Sequence, residues 1–120
     1  AQDPAKPLWE HPEALREHLS EGPALVIDAL FGVGLVRPLE APFRGWIEVL
    51  NAADIPILAV DVPSGLDADS GVPLPVAIRA LATATMAAPK VGFAPGAPGA
   101  PYAGRVVEVD IGIPGANRPP

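Results

Sequence analysis

An α/β fold with a mainly parallel sheet follows from three features of the 120-residue chain. Short continuous apolar runs alternate with helix-patterned segments. Two of these runs end in an aspartate. Glycine and proline punctuate the joins instead of forming a low-complexity tract. Strands buried on both faces of a parallel sheet read as such uninterrupted runs, and alternation with helices is the mark of βαβ units.

In chain order, residues 1–10 are polar and proline-containing, a loose lead-in. Pro12 and Glu13 suit the first turn of a helix reaching about Ser20, with Leu15 and Leu19 as its buried stripe, and Gly22-Pro23 stops it. Residues 24–27 (ALVI) read as a strand buried on both faces and closed by Asp28. A turn-rich loop (ALFGVGLVRPLEAP) leads to a helix over residues 43–53, entered at Pro42, in which Phe43, Ile47 and Leu50 share a face. Residues 56–60 (PILAV) form the next strand, ending at Asp61, and the following VPSGLDADSG is dense in turn formers. A short helix is expected over 74–80, a strand over 81–87 (LATATMA) and a last strand over 105–110 (RVVEVD). Between these two strands, APKVGFAPGAPGAPYAG is too irregular for a helix and reads as an ordered loop crossing the sheet edge. Residues 115–120 (GANRPP) read as a linker. The length suits one domain.

Composition narrows the function classes. A net charge of −6 with eight Lys and Arg gives little electrostatic support for gripping nucleic acid or an anionic membrane. With no cysteine there is no thiol catalysis and no thiolate metal site. The most apolar stretch, 24–36, is interrupted by Asp28 and too short to cross a bilayer, so a cytoplasmic location is expected.

The chemistry-bearing candidates are Asp28 and Asp61, 33 residues apart. That separation matches one βαβ repeat and predicts equivalent positions on neighbouring strands, at the carboxyl rim where ligands of open α/β sheets bind. Such a carboxylate can ligate a metal, act as acid or base, hold a ribose hydroxyl, or merely cap a turn. Gly32-Val33-Gly34 would let backbone approach a ligand, although GxG alone is also a common turn. Arg37 can supply a positive charge near that loop or stand solvated. Ser64 is three residues beyond Asp61, close enough in a tight turn to face the same pocket. Asp67 and Asp69 lack EF-hand spacing and suit turn stabilisation. His11 and His18 suit an exposed helix face, and Lys90 suits either a phosphate or the surface.

Three blocks, VIDALFGVGLVRPLEAPF, ILAVDVPSGLDADSG and GRVVEVDIGIP, resemble in order and spacing the NAD(P)H-hydrate epimerase family, the YjeF N-terminal domain, over about residues 24–114. The resemblance implies a Rossmann-like three-layer αβα fold, present as its C-terminal half. It implies interconversion of the R and S forms of hydrated NADH and NADPH (NADHX and NADPHX) at C6 of the nicotinamide ring. By motif, Asp28 and Ser64 look like potassium ligands. Gly32, Val33, Gly34, Leu35, Val36, Arg37 and Pro38 resemble the loop that follows the substrate, and Asp61 resembles the catalytic residue beside the reacting ring. Val33 stands where the family usually carries a small hydroxyl residue, and APKVG replaces the commoner KPG turn. The family's first half, with its asparagine- and glycine-rich phosphate loop, has no counterpart in these residues. A homodimer, and fusion in a parent protein to an ADP- or ATP-dependent dehydratase, are left open. So are two other readings: a non-catalytic nucleotide-binding or dimerisation module, and an inactive truncated fragment. A sheet built only from the later strands is expected to leave a central edge exposed.

Overall fold

The computed structural model describes residues 12–31, 37–88 and 90–112. Its elements are α1 (Pro12–Ser20), β1 (Val26–Asp28), α2 (Phe43–Ala52), β2 (Ile57–Val60), β3 (Ala82–Met86), a 3₁₀ turn (Val91–Phe93), α3 (Ala100–Ala103) and β4 (Arg105–Val109). The strands form one sheet in the order β1-β2-β3-β4, and every pairing is parallel. The expected α/β architecture is therefore the observed one.

Pairing register decides which side chains share a face. Val26 pairs with Ile57, and Ala59 pairs with Thr83. Because paired residues of neighbouring strands point to the same side, Val26, Ile57, Ala59 and Thr83 line one surface. Helix α2 covers it: Ile47 and Leu50 pack with Leu39, Ile57, Ala59, Ile78 and Ala80 in a buried cluster, against which Leu15, Leu19 and Phe43 also lie. The apolar spacing of α2 thus does what its pattern predicts. On the β3 side, Thr83 Oγ1 donates to the Ala103 carbonyl at 2.8 Å, which fastens α3 to the same surface. A second cluster there joins Val62, Leu66, Ala68, Ala77, Phe93 and Ala103. The opposite surface carries Ile27 paired with Leu58, and Ala84 paired with Val107. Ile27 is 62% exposed and Val107 47%.

Three expectations are corrected. The first strand is not buried on both faces, because the face that carries Ile27, opposite α2, is open to solvent. The expected helix over 74–80 does not form. Pro73 and Pro75 cannot donate to a helix ladder, and the neighbouring backbone groups bond elsewhere: Leu74 N–H to the Gly65 carbonyl, Ile78 N–H to the Ser64 carbonyl and Ala80 N–H to the Tyr102 carbonyl. The Asn51 side chain completes the stitching, donating to the Ala77 carbonyl and accepting from Arg79 N–H, both at 2.8 Å. Lastly, the glycine- and proline-rich connection before β4 does contain helix, the 3₁₀ turn and the four-residue α3, the latter with proline in its first turn. Among the described residues, no helix is long and apolar enough to cross a membrane.

Candidate functional site

The carboxyl rim of the sheet is built from the residues that end β1 and β2. Asp28 is the last residue of β1 and only 3% exposed. Asp61 directly follows β2. They are not at equivalent positions, since Asp28 pairs with Ala59 and Asp61 lies two residues further along. The spacing of 33 therefore exceeds the register offset by two, and Asp61 sits above the strand end instead of within the ladder.

Ser64 turns toward Asp28, not Asp61. Its N–H donates to Asp28 Oδ2 at 2.7 Å and its hydroxyl donates to Asp28 Oδ1 at 2.6 Å. The same hydroxyl accepts the Phe31 N–H at 3.0 Å, and Leu30 N–H approaches Asp28 Oδ1 at 3.4 Å. Two strand-end loops are thereby joined through one buried serine. The reversal that permits this is local: Val62 N–H bonds the Val60 carbonyl and Leu66 N–H the Pro63 carbonyl. Gly65 then runs at φ +90°, where a Cβ would stand 2.1 Å from the Val76 carbonyl oxygen. Only glycine meets both demands.

Burial raises the pKa of Asp28 above the ordinary 3.8, against the lowering effect of the hydrogen bonds from the Ser64 hydroxyl, the Ser64 N–H and the Leu30 N–H. Desolvation is the larger influence. The carboxylate has no ion-pair partner among the described residues. Asp28 and Ser64 are the residues here that could hold a monovalent cation, the Ser64 hydroxyl keeping one lone pair beyond the one that receives Phe31 N–H. Among the described residues no group of three or more His, Cys, Asp or Glu is placed to hold a metal ion.

Asp61 adopts φ +69°, a left-handed backbone uncommon for a side-chain-bearing residue. Its N–H donates to the Ala84 carbonyl at 2.8 Å, and its Oδ1 accepts the Met86 N–H at 2.9 Å. Lys90 Nζ stands 3.0 Å from the same oxygen. Among the described residues Oδ2 has no hydrogen-bond partner. The carboxylate is thus held through Oδ1 at the end of β3.

Of the predicted substrate loop, Arg37 and Pro38 are described, and Gly32, Val33, Gly34, Leu35 and Val36 lie outside the described residues. Arg37 is exposed and, with Pro38, Leu39 and Glu40, lines an open cleft of about 390 Å³ closed by Phe31 and Phe43. The two rings meet edge to face at 5.2 Å. Through the Phe31 N–H this cleft abuts the Asp28 and Ser64 pair. The turn segment behaves as read: Asp67 Oδ1 accepts the N–H groups of Asp69 and Ser70 at 2.8 and 3.0 Å. Those bonds, Ser70's first, lower its pKa. His18 is exposed, and His11 lies outside the described residues.

Sequence reasoning did not find Phe31, Thr85 or the partner of Lys90. A lysine four residues past a strand gives no sign of the direction in which it folds. The alternation of Thr83 and Thr85 did carry a signal, because two fully buried threonines need partners and supply polar atoms to the covered face.

A family model described as YjeF-related protein N-terminus matches residues 5–92. The bifunctional NAD(P)H-hydrate repair enzyme Nnr of Salinibacter ruber is 49% identical over 92 residues, covering 77% of this chain and 17% of that protein. The NAD(P)H-hydrate epimerase of Limosilactobacillus fermentum is 40% identical over 102 residues, covering 85% of this chain and 49% of that protein. The crystal structure of yeast ynu0 superposes with a TM-score of 0.56 at 27% identity, over 72% of this chain and 35% of the yeast chain. The chain thus spans half or less of the length of these relatives.

Proposed function

The chain belongs to the family of YjeF-related protein N-termini, and we propose that it supplies the strand-end half of an NAD(P)H-hydrate epimerase site. The reading is that NADHX or NADPHX is interconverted between its R and S forms at C6 of the hydrated nicotinamide ring. The observation that carries it is the Asp61 carboxylate, standing on the sheet rim with one oxygen anchored and the other free among the described residues.

The chemistry suits that geometry. When the C6 hydroxyl takes up a proton and departs as water with its electron pair, the ring nitrogen donates its lone pair and an iminium-like cation forms. Asp61 stabilises this cation electrostatically, and water returning to either face of C6 gives either epimer as it releases a proton, so that water and proton balance over the cycle. A carboxylate already fixed by Met86 N–H needs little reorganisation as charge develops. Asp28 and Ser64 are the residues that would hold potassium. A bound monovalent cation would offset the buried Asp28 charge and attract the diphosphate of the dinucleotide. Arg37 and Pro38, on the aromatic cleft beside Phe31, border the path of the substrate.

The test is direct. The intact protein, given one purified epimer of NADHX, should yield the equilibrium mixture of both faster than the spontaneous reaction does, as read by chromatography. A rate equal to the uncatalysed one refutes the assignment.

A further inference from the structure

We propose that Lys90 is the positioning residue for Asp61, a role that rests on the epimerase reading for its catalytic consequence but on geometry for its existence. The Lys90 ammonium is enclosed by four oxygens: Asp61 Oδ1 at 3.0 Å, the Met86 and Ala88 carbonyls at 3.1 Å each, and Thr85 Oγ1 at 3.2 Å. An ammonium has three N–H groups, so these acceptors saturate it. The turn leaving β3 is wrapped around the cation, and the lysine side chain is 18% exposed. A phosphate-binding lysine would keep a donor for its ligand, and this one spends its donors on the protein.

The consequence falls on Asp61. Its left-handed backbone does not by itself fix the carboxylate. Lys90 and the Met86 N–H converge on the same oxygen, Oδ1, at 3.0 and 2.9 Å, which pins that oxygen and leaves Oδ2 without a partner among the described residues. Thr85 ties the two together: its hydroxyl is 3.2 Å from Lys90 Nζ and 3.5 Å from Asp61 Oδ1. Lys90 thus acts on the reaction through Asp61, without touching the substrate.

The experiment compares Lys90→Met, Asp61→Asn and the double variant of the intact protein, by steady-state kinetics and by the Met86 amide resonance. Lys90→Met should lower kcat about tenfold to hundredfold with KM within about twofold, the pattern of a misaligned catalytic group. In the Asp61→Asn background it should change kcat less than about twofold. Ethylammonium should restore part of the rate to Lys90→Ala. A raised KM at unchanged kcat, or losses that multiply in the double variant, would overturn the proposal in favour of direct substrate contact. The Met86 amide proton should move upfield in Lys90→Met as its acceptor turns away, and an unmoved amide would overturn the proposal even if the wild-type protein showed no epimerase activity. Absence of wild-type turnover with a moved amide would count against the epimerase reading alone.

Discussion

Ser64 and Asp28 meet head-on, the serine donating from both its backbone N–H and its hydroxyl to the two oxygens of one buried carboxylate, at 2.7 and 2.6 Å. The pair welds the loop after β1 to the loop after β2. Ser64 is fully buried, so Ser64→Ala removes the hydroxyl without water to replace it. It leaves Phe31 N–H without its acceptor and Asp28 Oδ1 without its strongest donor. The expected loss is about 1–3 kcal/mol of stability, read as a lowered urea midpoint at unchanged m-value.

The raised pKa of Asp28 makes a pH prediction of definite sign. Above pH 3.8 the unfolded chain has begun to lose this proton while the folded chain still holds it, so the folded state binds more protons. The contribution of Asp28 to stability is therefore greatest below 3.8, falls as pH rises from there through the folded pKa, and is flat beyond. Asp28→Asn should remove that fall. Urea titrations across the acid range should show the variant gaining on the wild type as pH rises through this window, with a constant offset at its upper end.

A cation at this pair would reverse the penalty of the buried charge. At neutral pH, potassium at about ten times its dissociation constant should add about 1.4 kcal/mol to unfolding. Tetramethylammonium at the same ionic strength should add nothing. Asp28→Asn and Ser64→Ala should both lose the difference, as followed by thermal melts in the two salts.

Gly65 is the tightest position of the reversal that carries Ser64 to Asp28. Gly65→Ala meets both the positive φ and the Val76 carbonyl oxygen at 2.1 Å. The expected loss is about 3 kcal/mol or more, larger than for Ser64→Ala. Chemical denaturation of the two variants side by side checks the order.

β2 was legible as an apolar run and β3 from its alternating threonines, and each falls within a residue or two of the expected bounds. The rim was legible because aspartates close two apolar runs. What lay beyond the sequence was direction. Ser64 is nearer in the chain to Asp61, yet the reversal at Val62 and Pro63 delivers it to Asp28, 36 residues away. Lys90 gave no sign of bonding Asp61 because its partner lies across β3, a relation set by the sheet and not by spacing. The failed helix over 74–80 has a similar origin. Pro75 cannot join a helix ladder, and Gly65, Ser64, Asn51 and Tyr102 offer the backbone of the segment better partners than its own turns would. The exposure of Ile27 follows from which face of the sheet the helices cover, which no local pattern records.

The central claim is tested most directly by Asp61→Asn in the intact protein. The substitution keeps the size of the side chain and an oxygen for Met86 N–H, and removes the charge that would stabilise the ring cation. With purified R-NADHX or S-NADHX as substrate, the rate of interconversion should fall at least about a hundredfold at a folding stability within about 1 kcal/mol of wild type. Interconversion at the wild-type rate would contradict the account.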